Sequence, residues 1–445
     1  MARLAARAQK TPDDPVLLEA LGRACLRAKR IPAALTVLAR AVQLEPDNAE
    51  RLRRIAGIHL DIGQEVLAID LFARAAAARS SDAEGWCALG DALLNAREPV
   101  RAEEAFARAA SMAEALPRPR LGLARAALMQ ERLADAVRLA EEVIARDRKS
   151  AAAYLVRGTA RLRLREVADA VLDLERCILL DPDAADAHHN LVAPLLSIGR
   201  LEDAARHGRR ALELKDRSVC RGSRIWTPAP YRDTGVRVVS FSLWGEDRRY
   251  ITGAIANAQA VPRFYPGWEA WFHVDEAMPR EVLHELAGTG ARIIPMRRTI
   301  ATEGLFWRFL PASDPGVALM VARDCDSLPS WREAAAVRQW EESGRAMHVM
   351  RDHIAHCELV LAGMWGVRGG VIADIGALYR PYIGAGRPRW ADQDFLAERV
   401  WPVLKDSAII HDSAYPLFDA LPFPEVEDPS VPGGHIGAKL DLTAA

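Results

Sequence analysis

Asp324 and Asp326 stand one residue apart at the end of the apolar run Val317-Ala-Leu-Met-Val-Ala-Arg323. Two carboxylates at that spacing can share a hard divalent cation, and Mg²⁺ or Mn²⁺ is held by a few carboxylates together with the phosphates of a substrate. The expected ligand is therefore a metal-bound nucleotide diphosphate. The run itself lacks helical spacing and follows Asp314-Pro315-Gly316, so it reads as a strand buried on both faces of a parallel sheet. Ligands of open α/β sheets bind at the carboxyl ends of such strands, where the following helix aims its amino terminus. Asp324 and Asp326 fall at that edge.

Other side chains suit the same ligand. Arg308 and Arg323 could add positive charge near the phosphates, since a guanidinium pairs bidentately with oxyanions. Ser240 and Ser242, at the end of a strand, and Tyr250, on the helix after it, would touch the nucleoside. Asp392 and Asp394 lie at i and i+2, so on a helix they diverge and one faces the cleft, where it could serve as a general base.

Positioning these residues requires an α/β domain. Arg237 to Trp244, Trp268 to Val274 and Ala291 to Met296 read as strands, with helices over Tyr250 to Gln259 and Pro279 to Leu286 between them. This alternation predicts a parallel sheet with right-handed crossovers, in which the Asp324 strand is the fourth. Ala346 to Met350 is a further strand, followed by the polar group Arg351-Asp-His-Ile-Ala-His356. No Gly-x-Gly-x-x-Gly or Walker loop is present, which disfavours nicotinamide cofactors and ATPase chemistry.

The amino-terminal half is organised differently. Alanine recurs at Ala34, Ala68, Ala102, Ala136, Ala170 and Ala204, a constant interval (68 − 34 = 34) that marks a solenoid of helical hairpins. Small residues at Gly22, Ala56, Gly90, Ala124 and Gly158 let paired helices approach, and Leu38, Phe72, Phe106 and Leu174 fill the matching holes. Glu19, Arg23, Arg53, Asp91, Arg125 and His189 are expected on the concave groove, which suits an extended peptide or another protein. The period fails after Lys215, giving an array over 1–218, a proline-bearing linker over 219–234 and an α/β domain over 235–445. Running the register back one period places Ala2 to Gln9 inside the second helix of a further repeat, so the first repeat is expected to be truncated.

The whole chain has 445 residues, half of them apolar, and a net charge of −1, so neither nucleic acid nor an anionic membrane is indicated as partner. Six scattered cysteines lack zinc spacing, no signal peptide is evident, and no run of about 18 apolar residues makes a transmembrane segment. A soluble cytoplasmic protein is expected.

Two resemblances follow from these motifs. From about Pro15 to Ser218 the array resembles the tetratricopeptide repeat, although Asn190 is the only asparagine at its repeat position, unlike the asparagine ladder of repeat-bearing O-linked sugar transferases. From Gly235 to Ser413 the chain resembles a GT-A glycosyltransferase, in particular glycosyltransferase family 8. The matching pieces are Phe306-Trp-Arg-Phe-Leu310, Arg323-Asp-Cys-Asp-Ser327 as the Asp-x-Asp motif, Leu361-Ala-Gly-Met-Trp-Gly366, Asp392-Gln-Asp-Phe-Leu396 and Ile409-Ile-His-Asp412.

That second resemblance implies a GT-A-like nucleotide-diphosphosugar transferase domain. Asp324, Asp326 and His411 would ligate Mn²⁺ or Mg²⁺, Gly363 would let the donor sugar approach the backbone, and Asp392, Gln393 and Asp394 would flank the reacting sugar. The family's Gly-Lys-Pro-Trp after its late histidine is missing, and His435 is a second candidate ligand. The expected function is metal-dependent transfer from a nucleotide-sugar, such as a UDP-sugar, to an acceptor recruited by the repeats, a protein or an envelope-glycan partner. Retaining and inverting outcomes both stay open. The alternative is a non-catalytic scaffold with a degenerate transferase-like domain.

Overall fold

Helix follows helix at a fixed interval through the first half of the chain. The computed structural model describes residues 2–426 apart from 29, 63, 80–81, 222–225, 301 and 385–389, together with Ile436 and Gly437. It divides into two compact units, Met1–Pro182 and Asp183–Ala445.

The first unit holds α1 (Ala2–Lys10), then the pairs α2 (Pro15–Arg27) and α3 (Ile31–Leu44), α4 (Ala49–Asp61) and α5 (Glu65–Ala78), and α6 (Ala83–Asn95) and α7 (Pro99–Met112). Two more pairs follow, α8 (Pro117–Met129) with α9 (Leu133–Arg146) and α10 (Ala151–Arg163) with α11 (Val167–Leu180). Each pair begins one period after the last (49 − 15 = 34). Local chemistry sets these starts. Asp14, Asn48 and Asp82 cap α2, α4 and α6, accepting from the backbone N–H groups of Val16 and Leu17, Arg51, and Glu84 at 3.0–3.1 Å. Proline opens α2, α7 and α8, where its missing N–H costs nothing.

Packing explains the repeat. Ala34, Ala68, Ala102, Ala136 and Ala170 are all fully buried. A Cβ on Gly22 would lie 2.7 Å from Leu38, one on Gly90 2.6 Å from Phe106 and one on Gly158 2.9 Å from Leu174, so each small residue receives a large one from the paired helix. The turns inside the pairs carry a left-handed residue at Arg97 (φ 62°), Glu131 (57°) and Arg165 (67°).

The second unit opens with one more hairpin, α12 (Ala185–Ser197) and α13 (Leu201–Val219), and continues into a mixed α/β region. Its strands are β1 (Val236–Leu243), β2 (Glu269–Asp275), β3 (Arg292–Met296), β4 (Val317–Arg323), β5 (Met347–Arg351), β6 (Met364–Arg368) and β7 (Ala408–Asp412), in the sheet order β3-β2-β1-β4-β6-β5-β7. The main helices are α14 (Arg248–Phe264), α15 (Arg280–Gly288) and α16 (Trp331–Ser343); the short α17 (Ile375–Tyr379), α18 (Ala391–Phe395) and α19 (Trp401–Leu404) follow.

The sheet corrects the expectation of purely parallel pairing. β3, β2, β1 and β4 are parallel, as are β5 and β7, but β6 runs antiparallel to both of its neighbours. Ala322 faces Trp365 and Arg323 faces Met364, so β6 begins where β4 ends. The hairpin α12–α13 is fastened to this region: Lys215 Nζ lies 2.8 Å from Glu358, and Trp401 Nε1 and Lys405 Nζ each lie 2.8 Å from Asp216 Oδ1. No described helix is long and apolar enough to cross a membrane.

Candidate functional site

β4 is buried along its whole length between β1 and β6, and it delivers Asp324-Cys325-Asp326 to the carboxyl edge of the sheet. Arg308 reaches that edge from a 3-10 turn over Trp307–Ser313. Its backbone N–H donates to Ser242 Oγ at 2.9 Å, which ties the turn to β1. The buried guanidinium lies between two carboxylates, with Nη1 2.9 Å from Asp324 Oδ1 and Nη2 2.7 Å from Asp392 Oδ2, and its Nε donates to Ala362 O at 3.2 Å. A bridged arrangement of this kind holds all three groups in place.

Gly363 completes the contact. A Cβ there would lie 2.5 Å from Asp324 Cγ and 3.0 Å from the Asp324 backbone nitrogen. Burial pushes the Asp392 carboxyl up to about 6; Arg308 pulls it down and Asp324 pushes it up further. Arg308 itself stays cationic beside its two partners.

Of the expected residues, Arg308, Asp324, Gly363 and Asp392 therefore meet, with Ser242 behind Arg308. The others are spread around them. Arg323 is fully buried and braces the turn after β4, donating to Gly363 O at 3.2 Å and to Ser327 Oγ at 3.1 Å, with Nε 3.3 Å from Glu333. Asp326 is buried with its Oδ2 3.8 Å from Arg249 Nε, and the Arg249 guanidinium sits over the Tyr250 ring. Ser240 is fully buried beside His273. The Gln393 N–H donates to Asp392 Oδ1 at 2.9 Å, and Asp394 is half-buried on α18.

His411 does not join the aspartates. It is fully buried on β7, its Nδ1 is 2.8 Å from His348 Nε2 and its Nε2 is 2.7 Å from Gln339 Oε1, so both ring nitrogens are occupied. Burial lowers its pKa to about 4, which keeps it neutral. His435 lies outside the described residues.

These placements overturn the metal reading. Among the described residues no three His, Cys, Asp or Glu side chains form a group that could hold a metal ion. The expected Mn²⁺ or Mg²⁺ and the nucleotide-sugar it would present are corrected accordingly; of the expected GT-A-like domain, what is shown is a mixed α/β region. Where a cation was expected to lie against Asp324, the protein places its own guanidinium.

Arg351-Asp-His-Ile-Ala-His356 is likewise engaged within the fold. Arg351 Nε lies 2.5 Å from Asp412 Oδ2, joining the ends of β5 and β7, and Asp352 Oδ2 is 2.9 Å from both Arg332 Nη1 and the Ile436 N–H.

A second candidate site lies in the first unit. Arg23, Arg27, Arg53, Arg54, Gly57 and Asp61 line a cavity of about 450 Å³ between α2 and α4. Arg23 and Arg53 belong to the expected groove set; Arg27, Arg54, Gly57 and Asp61 are additional. Gly57 carried a usable signal, because it occupies the same repeat position as Arg23 and Asp91 and is a glycine inside a helix. Farther along, Asp91 is claimed by Arg118 and Arg125, each at 2.9 Å.

Similarity to known proteins is found for the repeats. No curated protein matches the chain in sequence. Among solved structures, a tetratricopeptide repeat protein from Parabacteroides merdae ATCC 43184 is 20% identical over 47% of this chain and 84% of its own, with a TM-score of 0.42. YrrB, a TPR protein with an unusual peptide-binding site, is 18% identical over 42% of this chain and 96% of its own, at 0.34. A chain of the APC/C hetero-tetramer Cut9-Hcn1 is 17% identical over 47% of this chain at 0.39, and the match spans 42% of that chain's length. Residues 121–177 and 157–218 match the profile of the tetratricopeptide repeat, and the solenoid of paired helices is a tetratricopeptide-repeat array.

Proposed function

We propose that the protein is a binding scaffold, whose repeat array holds an extended segment of another protein in its groove and whose α/β region does no chemistry of its own. The cavity between α2 and α4 carries this reading, because it opens on the first helices of two successive repeats. The carboxyl edge of the sheet supports it. Arg308 already commits its charge to the partly exposed Asp324 and the buried Asp392, and breaking the buried Arg308–Asp392 pair costs about 3–5 kcal/mol. On this reading Arg308, Asp324, Asp392 and Gly363 fasten loops together, while Arg323 and Asp326 brace the turn after β4. The six free cysteines suit a reducing compartment, and we place the protein in the cytoplasm.

The test is selection of random peptides displayed on phage against the full chain, followed by solution binding of the enriched sequences. The scaffold reading expects enriched peptides whose binding is lost in Gly57→Leu and kept in Asp324→Asn. Failure to enrich, or peptides indifferent to Gly57→Leu, would overturn it.

A further inference from the structure

We propose that the cavity between α2 and α4 is an anion pocket that takes an aspartate or glutamate side chain from an acidic segment of the partner. The proposal rests on the scaffold reading and names the chemistry of its ligand. Four guanidiniums face the space against one carboxylate, Asp61. Each guanidinium has five N–H donors, so what matters is how many are already committed.

Arg23 gives one contact to Glu19, at 2.8 Å, and Arg53 gives one to Asp82, at 2.7 Å. Arg27 makes no hydrogen bond or ion pair among the described residues. Only Arg54 is heavily used, bonded to Glu19 at 3.0 and 3.2 Å and to Glu50 at 2.5 Å. Glu19 is itself buried and shared, since Arg51 Nε also approaches it to 3.9 Å; one carboxylate thus faces three guanidiniums. Arg23, Arg27 and Arg53 keep donors for a further carboxylate, and a charge-assisted bond from each is the strong kind. Leu26 and Ile58 add apolar wall, which suits the methylenes of a glutamate side chain.

Gly57 is what makes room. A Cβ at that position would meet no atom within 4 Å, so any side chain there would extend into the open space that Gly57 lines. A glycine inside a helix weakens it, and this one fills no packing need of the kind seen at Gly22 or Gly90. Binding offers a reason for it. At the same repeat position one repeat on, Asp91 replaces the glycine and already occupies Arg118 and Arg125.

The experiment is fluorescence anisotropy with the full chain, comparing a short labelled polyglutamate peptide with polyglutamine of the same length. Wild type should bind polyglutamate at least roughly ten-fold more tightly, with affinity falling as salt rises. Gly57→Leu plugs the space while favouring the helix, and should lose at least about ten-fold with no fall in thermal midpoint. Arg27→Glu should lose as much, and Asp61→Asn should tighten binding. Equal binding of the two peptides, or wild-type affinity in both Gly57→Leu and Arg27→Glu, overturns the proposal. If neutral or basic peptides from the phage selection bind and are lost in Gly57→Leu while polyglutamate fails, the acidic ligand is wrong and the scaffold reading stands.

Discussion

Gly363 leaves no room for a β-carbon against Asp324: the added atom would sit 2.5 Å from the carboxylate carbon. Gly363→Ala is therefore expected to push Asp324 away from Arg308 and to cost about 1–3 kcal/mol, the usual range for overpacking a tight site. Urea unfolding followed by tryptophan fluorescence measures it, and an unchanged midpoint would mean that Asp324 moves aside freely.

Among the described residues, Arg308 alone pairs with both Asp324 and Asp392. Arg308→Leu strands a buried carboxylate and should cost about 3–5 kcal/mol. Arg308→Leu with Asp392→Asn removes the stranded charge and should recover part of that loss. A double-mutant cycle by chemical denaturation reads the coupling.

Acid should destabilise the α/β region before it touches the repeats. Burial lowers His273 and His411 to about 4, so between that value and the ordinary imidazole pKa of about 6.5 the unfolded chain binds more protons than the folded one. Their contribution is complete above about pH 6.5 and is lost as pH falls, by up to about 1.4 kcal/mol per unit for each. Asp392, raised to about 6, works in the opposite direction, its contribution fading as pH rises toward that value. Burial also lowers His348 and raises Glu333, so three histidines stand against two carboxyls and the thermal midpoint should drop from pH 6.5 to pH 4.5; a midpoint that rises over this range would contradict the assignment.

Much of this architecture was legible in the chain. The alanine interval located every pair of helices, because one small residue per repeat must be buried for the pairs to close. Five of the seven strands were legible as apolar runs, and β7 only as the Ile409-Ile-His-Asp412 motif. β6 was not: Leu361-Ala-Gly-Met-Trp-Gly366 has the small residues of a loop, and only its place between β4 and β5 makes it a strand. The meeting of Arg308, Asp324 and Asp392 was foreseen as a neighbourhood, but not as a closed one. Sequence order cannot say whether an arginine faces a ligand or the carboxylates beside it. His411 failed for a related reason, since its partners His348 and Gln339 come from β5 and α16, far away in the chain.

Arg165 holds a left-handed conformation that costs an ordinary residue about 1–2 kcal/mol, and its side chain is exposed. Arg165→Gly should stabilise the array by about 1 kcal/mol. Thermal unfolding followed by circular dichroism checks it, with Gly199, which has φ 78° at the same repeat position, as the natural precedent.

The hairpin α12–α13 should be indispensable to the sheet. A fragment of residues 183–445 is expected to unfold cooperatively, whereas one of residues 219–445 loses Lys215 and Asp216 and the close approach of Gly208 to Tyr415, where a Cβ would lie 2.6 Å from the ring carbon bearing the hydroxyl. Calorimetry of the two fragments decides. Equal transitions would show that the hairpin is dispensable.

The constant period within Met1–Pro182 has a consequence for heredity. Because each pair begins 34 residues after the one before (49 − 15 = 34), an in-frame duplication or excision of one such stretch rejoins helix to helix in phase, wherever the breakpoints fall. Unequal crossing-over could therefore lengthen or shorten the array in whole repeats, and a descendant gene could gain or lose recognition surface in a single event without inventing a new junction.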